Sequence, residues 1–294
     1  WSQVQIPASM FRFPSCRDDA AAPDRGTGTR MSANVQPMAH HRVTRYLTPL
    51  REGGSLPGLV EADDEGTYVM KLRSAGQGPR VLASEVIVAS LAERLGLRVP
   101  DLALLDLDAS IGRREPDPEI QHLLVTSAGM NLGMDYLPGS IGFDPTAFQV
   151  DPTYAATIIW LDAFTANVDR SHRNPNLLMW HGNLWCIDHG VALGFQHNWS
   201  RADRFPTAPF DASDHVLAEH LGHVAGVATT LAARIDAAAI TEALALVPDV
   251  WLGPDPDRPD AAAPATAHEA RERIAQLLDG RLAAMADWCP GLER

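Results

Sequence analysis

The sequence is short of cysteine, of positive charge and of long apolar runs, and each shortage removes a class of protein. Its three cysteines, Cys16, Cys186 and Cys289, are scattered, odd in number and without metal-ligand spacing. Neither a disulfide framework nor a zinc module is expected, and a reducing cytoplasm fits best. A formal net charge of −13 lacks the basic footprint of a general nucleic-acid or anionic-membrane binder, so neither is expected as a partner. The most apolar run, Ala155 to Ala166, is interrupted by Asp162 and is too short to span a bilayer. No Gly-x-x-x-x-Gly-Lys-Ser/Thr and no Gly-x-Ser-x-Gly occurs, which removes a P-loop NTPase and a serine nucleophile elbow. His172, His181, His189 and His197 gather near Cys186 but lack the paired spacing of a zinc site. No internal repeat is present.

Residues 1–42 carry no hydrophobic periodicity and no apolar signal core, and read as a disordered extension, with Met31 and Met38 as candidate start sites. Structure is expected from near Tyr46. Residues 43–294 read as one domain, with a β-rich part to about 135 and a helical part from about 136.

In the first part, Leu59 to Ala62 and Thr67 to Leu72 flank the acidic, Gly-ended turn Asp63-Asp64-Glu65-Gly66, the pattern of a hairpin. Alternation puts Val69 and Lys71 on one face and Tyr68, Met70 and Leu72 on the other. A helix is expected from about Val81 to Leu95, with Gly96 as its C-terminal cap. Leu102 to Leu107 and His122 to Thr126 read as further strands around a polar turn, Gly112 to Pro118. In the second part, Asp151 as N-cap and Pro152 open a helix to about Ala166. Asn176 to Trp180 and Leu184 to Ile187 form a short hairpin. Helices are expected over Val216 to Val227, Leu231 to Leu246 and Ala267 to Trp288, with a surface loop from Gly253 to Pro264.

What the sequence does hold is an ordered set of phosphoryl-transfer residues. Asn167-Val168-Asp169-Arg170-Ser171-His172-Arg173-Asn174 is followed by the hairpin and then Ile187-Asp188-His189-Gly190. ATP-dependent phosphoryl transfer needs one carboxylate at the nucleophile, plus an amide and a carboxylate to hold Mg²⁺. Asp169 has the loop position of the first, Asn174 and Asp188 those of the others. Asn176 is the alternative to Asn174: spacing from Asp169 favours Asn174, whereas adjacency to the strand Leu177-Leu178-Met179 favours Asn176. Upstream, strand residue Lys71 suits a phosphate-neutralising ammonium, helical Glu85 its holder, and Val69 an apolar roof over adenine. Gly53-Gly54-Ser55-Leu56-Pro57-Gly58 lies where backbone amides can cover phosphates, or is a plain tight turn. Taken singly, each residue has an ordinary reading as a surface ion pair or a helix-dipole partner.

The two loops, Asn167-Val168-Asp169-Arg170 with Asn174 and Ile187-Asp188-His189-Gly190, resemble the catalytic and metal loops of HipA-like kinases, over about residues 46–290. The resemblance implies an α+β, protein-kinase-like fold of two lobes, the smaller β-rich with one helix and the larger helical. It implies ATP and Mg²⁺ as cofactors and a hydroxyl acceptor, in the best-known relatives a protein Ser or Thr. It carries over Asp169 as catalytic base, Asn174 and Asp188 as metal ligands and Lys71 as the phosphate-binding lysine. His189 stands where Phe is common in the Asp-Phe-Gly type. A small-molecule kinase and a pseudokinase that binds nucleotide without turnover are the competing readings.

Overall fold

Alternation along Thr67–Lys71 sorts the barrel half of the molecule as expected. In the computed structural model, which describes residues 37–50, 56–255 and 258–292, Met70 and Leu72 pack with Val43, Val60, Leu105 and Leu124, and Tyr68 lies against them. Val69 faces the other way, into a cluster with Leu59, Met134, Leu137, Leu178 and Ile187. Gly53, Gly54 and Ser55, and nearly all of the expected N-terminal extension, lie outside the described residues.

Strands β1 (Ala39–Pro49), β2 (Gly58–Ala62), β3 (Thr67–Lys71), β4 (Leu102–Leu107) and β5 (Gly129–Asp135) close a barrel in the order β1-β2-β3-β5-β4. All pairings are antiparallel except β1 with β4, where Ala39–Arg42 run parallel to Ala103–Asp106. The ordered chain therefore begins before residue 43. His40, His41 and Arg42 conceal the strand from a hydrophobic reading, because it is held there by the backbone ladder and not by buried side chains. Strand β5 carries Gly133 opposite Ala103; a Cβ at Gly133 would come within 2.7 Å of Leu105 Cδ1, so a larger residue there would displace the Leu105 side chain.

Helix α1 (Pro79–Leu95) follows the hairpin and ends at Gly96, in the left-handed region. Between β4 and β5 the chain forms two further helices, α2 (Ala109–Gly112) and α3 (Pro118–Thr126), so the expected strand over His122 to Thr126 and the expected single helix are both corrected. The Asp117 carboxylate accepts from Glu119 N and Ile120 N, and Pro118 sits at the first helical position. Ile120 and Leu124, four residues apart, are the buried pair of α3, a helical spacing that a short apolar run disguises.

The helical half opens with a three-stranded sheet, β6 (Ile141–Gly142), β7 (Leu177–Trp180) and β8 (Asn183–Cys186), in the order β6-β7-β8. Helix α4 (Pro152–Thr165) is capped by Asp151, whose carboxylate accepts from Tyr154 N, and every residue from Ala155 to Thr165 is buried. Beyond three 3₁₀ segments come α5 (Val224–Ala232), α6 (Ala237–Ala245), α7 (Asp249–Leu252), α8 (Ala267–Ala283) and α9 (Met285–Trp288). The expected helix over Leu231 to Leu246 is broken at Ile235, where Asp236 caps α6 by accepting from Ala239 N. The helix expected from Val216 begins instead as 3₁₀ turns over Ala218–His223. Helix α8 starts on a capping box, Thr266 with Glu269. One apolar core runs from α1 through α4 to α8, so the barrel half is packed onto the helical half through α1. Among the described residues, no single helix is long and apolar enough to cross a membrane.

Candidate active site

Lys71 ends β3 opposite Leu132 of β5, a rigid base for a long side chain. It is 6% exposed, and its ammonium touches Glu85 Oε1 and lies 2.6 Å from Asp188 Oδ1. Lys71 is also the only lysine in the sequence, every other one of the 24 basic residues being Arg. A compact ammonium fits between two converging carboxylates where a planar guanidinium fork does not. Burial pulls the Lys71 pKa down, but Asp188 and Glu85 more than reverse this and hold the amine protonated. Two carboxylates share one cation, so their affinities for protons separate. Lys71 draws Asp188 below the ordinary carboxylate range, whereas burial drives Glu85 above it.

Glu85 reaches this position because α1 packs against the Asp188-His189-Gly190 segment. Its Oε2 accepts from His189 N at 2.8 Å. A Cβ on Gly190 would sit 2.5 Å from Val81 Cγ1 and 2.9 Å from Glu85 Oε1, so the third position of Asp-x-Gly has room for hydrogen alone. Asp188 itself adopts φ 56°, a left-handed conformation that turns its carboxylate back toward Lys71.

Asp169 follows α4 by four residues, and both candidate metal asparagines bind it. Asn174 Nδ2 donates to Asp169 Oδ2 at 2.9 Å, while Asn176 Nδ2 donates to Asp169 Oδ2 at 3.2 Å and to Asp169 O at 3.3 Å. Asn174 is exposed; Asn176 is 5% exposed and left-handed at φ 48°. In both cases the amide nitrogen is engaged with Asp169, which leaves the amide oxygen as a hard donor. Arg170 does not pair with Asp169. Its guanidinium turns inward to Asp162 of α4, with Nε 2.6 Å from Oδ2 and both side chains at 0% exposure.

Val69, the expected adenine roof, is buried in a cluster in which Leu59, Val69 and Met134 of the barrel meet Leu178 and Ile187 of the helical half. Gly58 opens β2 beneath the Tyr46 ring, whose Cε2 is 2.3 Å from the position of an added Cβ. This glycine is accounted for by the ring packed on it.

Sequence reasoning missed Asp162, Asn167 and His215. Asp162 Oδ2 accepts from His215 Nε2 at 3.0 Å, and Asp162 Oδ1 accepts from Asn167 Nδ2 at 3.0 Å. Leu217 N donates to His215 Nδ1, which fixes the tautomer carrying its proton on Nε2. The available signal was Asp162 itself, a lone carboxylate inside an otherwise apolar helix, which demands a buried partner. Among the described residues, no group of three or more His, Cys, Asp or Glu forms a closed metal cage.

A family model described as HipA-like kinase matches residues 43–278. Among solved structures, the chain is similar to a Helicobacter pylori proinflammatory kinase, CtkA. Identity is 12% and the TM-score 0.49, with 84% of this chain and 95% of that one covered. It is also similar to the Golgi casein kinase, at 14% identity and a TM-score of 0.38, covering 85% of this chain and 72% of that one. The same kinase with Mn/ADP bound gives 15% identity and a TM-score of 0.38, over 84% and 73% of the two chains. No curated protein matches the sequence.

Proposed function

Because the chain belongs to the HipA-like kinase family, whose model spans most of it, we propose that it transfers the γ-phosphoryl group of ATP to a hydroxyl, that of a protein Ser or Thr. The observation that carries this reading is the Lys71 ammonium held between Glu85 and Asp188, with Asp169 fixed by two asparagines in the neighbouring loop. The barrel half and the helical half act as two lobes, and Val69 and Leu59 pack on Leu178 and Ile187 at the seam between them, the apolar surface against which a nucleobase would rest.

The residues present fit Mg²⁺. That ion keeps several waters and takes one or two protein oxygens together with substrate phosphates, so a full cage is not required. The Asp188 carboxylate is 35% exposed and has Lys71 on Oδ1. Asn174 presents a free amide oxygen at the surface, whereas buried Asn176 serves to fix Asp169. Mg²⁺ bound by Asp188 and Asn174 supplies charge neutralisation for the transferring phosphoryl group. Lys71 offsets phosphate charge from the barrel side, and Glu85 keeps its ammonium aimed. Asp169 orients the acceptor hydroxyl and accepts its proton.

Calorimetry with ATP in the presence and absence of Mg²⁺ tests the nucleotide site. Transfer of labelled γ-phosphate, offered to a protein lysate and separately to sugars and aminoglycosides, tests the acceptor. A labelled protein band is expected; label on a small molecule alone replaces the acceptor class, and no ATP binding by folded protein contradicts the reading.

A further inference from the structure

Arg170 joins α4 to the two chain segments that carry Asp169 and Asp188. Nε lies 2.6 Å from Asp162 Oδ2 and Nη2 3.4 Å from Asp162 Oδ1, on α4. Nη1 donates to the Asn176 carbonyl, at the end of the Asp169 loop. Nη2 also faces His189 Nδ1 at 3.4 Å, in the Asp-x-Gly segment. The guanidinium is buried, as are Asp162 and His189. Its own carbonyl accepts from Val216 N at 3.1 Å, so the backbone at Arg170 is clamped from the other side.

Two of these contacts fall on or beside strained backbone. Asn176 and Asp188, at φ 48° and 56°, are non-glycine residues in the left-handed region, which Asn and Asp enter more readily than other side chains but seldom without local support. Such conformations persist only where their surroundings over-determine them. Asn176 is held by its carbonyl on Arg170, and Asp188 is held through the next residue, His189, whose ring faces Arg170 and whose N–H is bound by Glu85. The amide of Asn176 in turn bonds Asp169. A buried ion pair is weak evidence for stability, because apolar residues of similar volume often replace one without loss. A rigid planar fork with three separate partners serves geometry instead.

Resting on the kinase reading above, we infer that Arg170 is a positioning residue for phosphoryl transfer: it holds Asn176 and His189 so that Asp169 and Asp188 keep their aim. It touches neither nucleotide nor acceptor and acts through these neighbours. Asp162 anchors the fork, and His215 and Asn167 anchor Asp162.

The test uses Arg170→Lys and the charge-balanced pair Arg170→Met with Asp162→Asn in the full chain. Melting temperature, the KM for Mg-ATP and the kcat for γ-phosphate release to water and to the protein itself are measured on each. Lysine keeps the charge at Asp162 but cannot fork to Asn176 and His189, and the double variant leaves no buried charge unpaired. Both are expected to melt within a few degrees of wild type and to keep the KM within about threefold, while kcat falls about tenfold or more, as small misplacements of reacting groups do. Should the double variant fail to fold, Arg170→Lys decides alone. A Lys variant with wild-type kcat overturns the inference and leaves the kinase reading intact; so does a fall in kcat matched by equal losses of melting temperature and ATP affinity. Folded wild-type protein that neither binds Mg-ATP nor transfers γ-phosphate to water, to itself or to an offered protein lysate overturns both.

Discussion

Lys71 Nζ lies 2.6 Å from Asp188 Oδ1 across 117 residues of sequence, and this contact joins the barrel half to the helical half at the candidate site. Its partner Glu85 is 1% exposed, so the lysine neutralises a buried carboxylate as well as serving a phosphate. Replacing Lys71 with Met strands that carboxylate and should cost about 3–5 kcal/mol, seen as a marked fall in melting temperature. Lys71→Met combined with Glu85→Gln should recover most of the stability but not the affinity for Mg-ATP. A double variant that binds ATP normally would show that Lys71 is purely structural. As the only lysine, Lys71 also permits a direct probe: an acyl-phosphate derivative of ATP should acylate this side chain, and Mg-ATP should block the reaction.

The two asparagines separate by role. Asn174→Ala should lower turnover and raise the Mg²⁺ concentration needed for half-maximal activity. Asn176→Ala, which removes a buried amide and both its bonds to Asp169, should lower melting temperature by about 1–3 kcal/mol in equivalent stability. Titration of activity against Mg²⁺ for each variant checks the assignment; a shifted Mg²⁺ requirement in Asn176→Ala alone would reverse it.

Acidification should destabilise the unliganded fold in a defined window. Burial, and then Arg170, push the His189 pKa from its ordinary 6.5 down to about 3. Between those values the unfolded chain binds a proton that the folded chain refuses, so the His189 contribution is full above 6.5 and falls with pH by about 1.4 kcal/mol per unit, while the raised Glu85 acts in the opposite direction. Although burial opposes it, Arg170 and His215 hold Asp162 down to about 2, and this contribution is lost only as pH falls from 3.8 toward 2. Melting temperature should therefore decline between pH 6.5 and 4, and less steeply in His189→Asn. Equal curves for the variant and wild type would contradict this.

The beginning of the domain is testable by truncation. A chain starting at Met38 keeps Ala39–Arg42 and should melt as the full chain does. One starting at Val43 loses the parallel pairing with β4, at about 1 kcal/mol for each backbone hydrogen bond removed. Thermal melts of the two truncations decide it, and equal melting temperatures would show that barrel closure contributes nothing.

Residues whose role is set by local sequence were legible, and those whose role is set by a distant partner were not. Two-residue alternation placed Val69 and Lys71 on one face of β3, and the structure keeps them there. Asp151 and Pro152 announced α4, and Glu85 fell within the expected helix. His215 carries no signal, because its meaning comes from Asp162, fifty-three residues earlier in the chain. Arg170 was readable as part of the Asn167-Val168-Asp169-Arg170 loop but not as the partner of Asp162, since only the fold brings the two together. Strand β5 escaped because its glycines and Asn131 suit close approach to Leu105 and buried hydrogen bonding, and not strand propensity.

The central claim is that Asp169 takes the proton of an acceptor hydroxyl, and Asp169→Asn tests it most directly. Asparagine keeps the size of the side chain and an amide oxygen to accept from Asn174 or Asn176, so folding should survive. Melting temperature, Mg-ATP affinity and γ-phosphate transfer are measured on the same preparation. The expected result is near-normal melting and affinity with turnover reduced about a hundredfold or more, the contribution of a positioned general base. Turnover close to wild type, or activity lost only in step with stability and nucleotide affinity, would contradict the account.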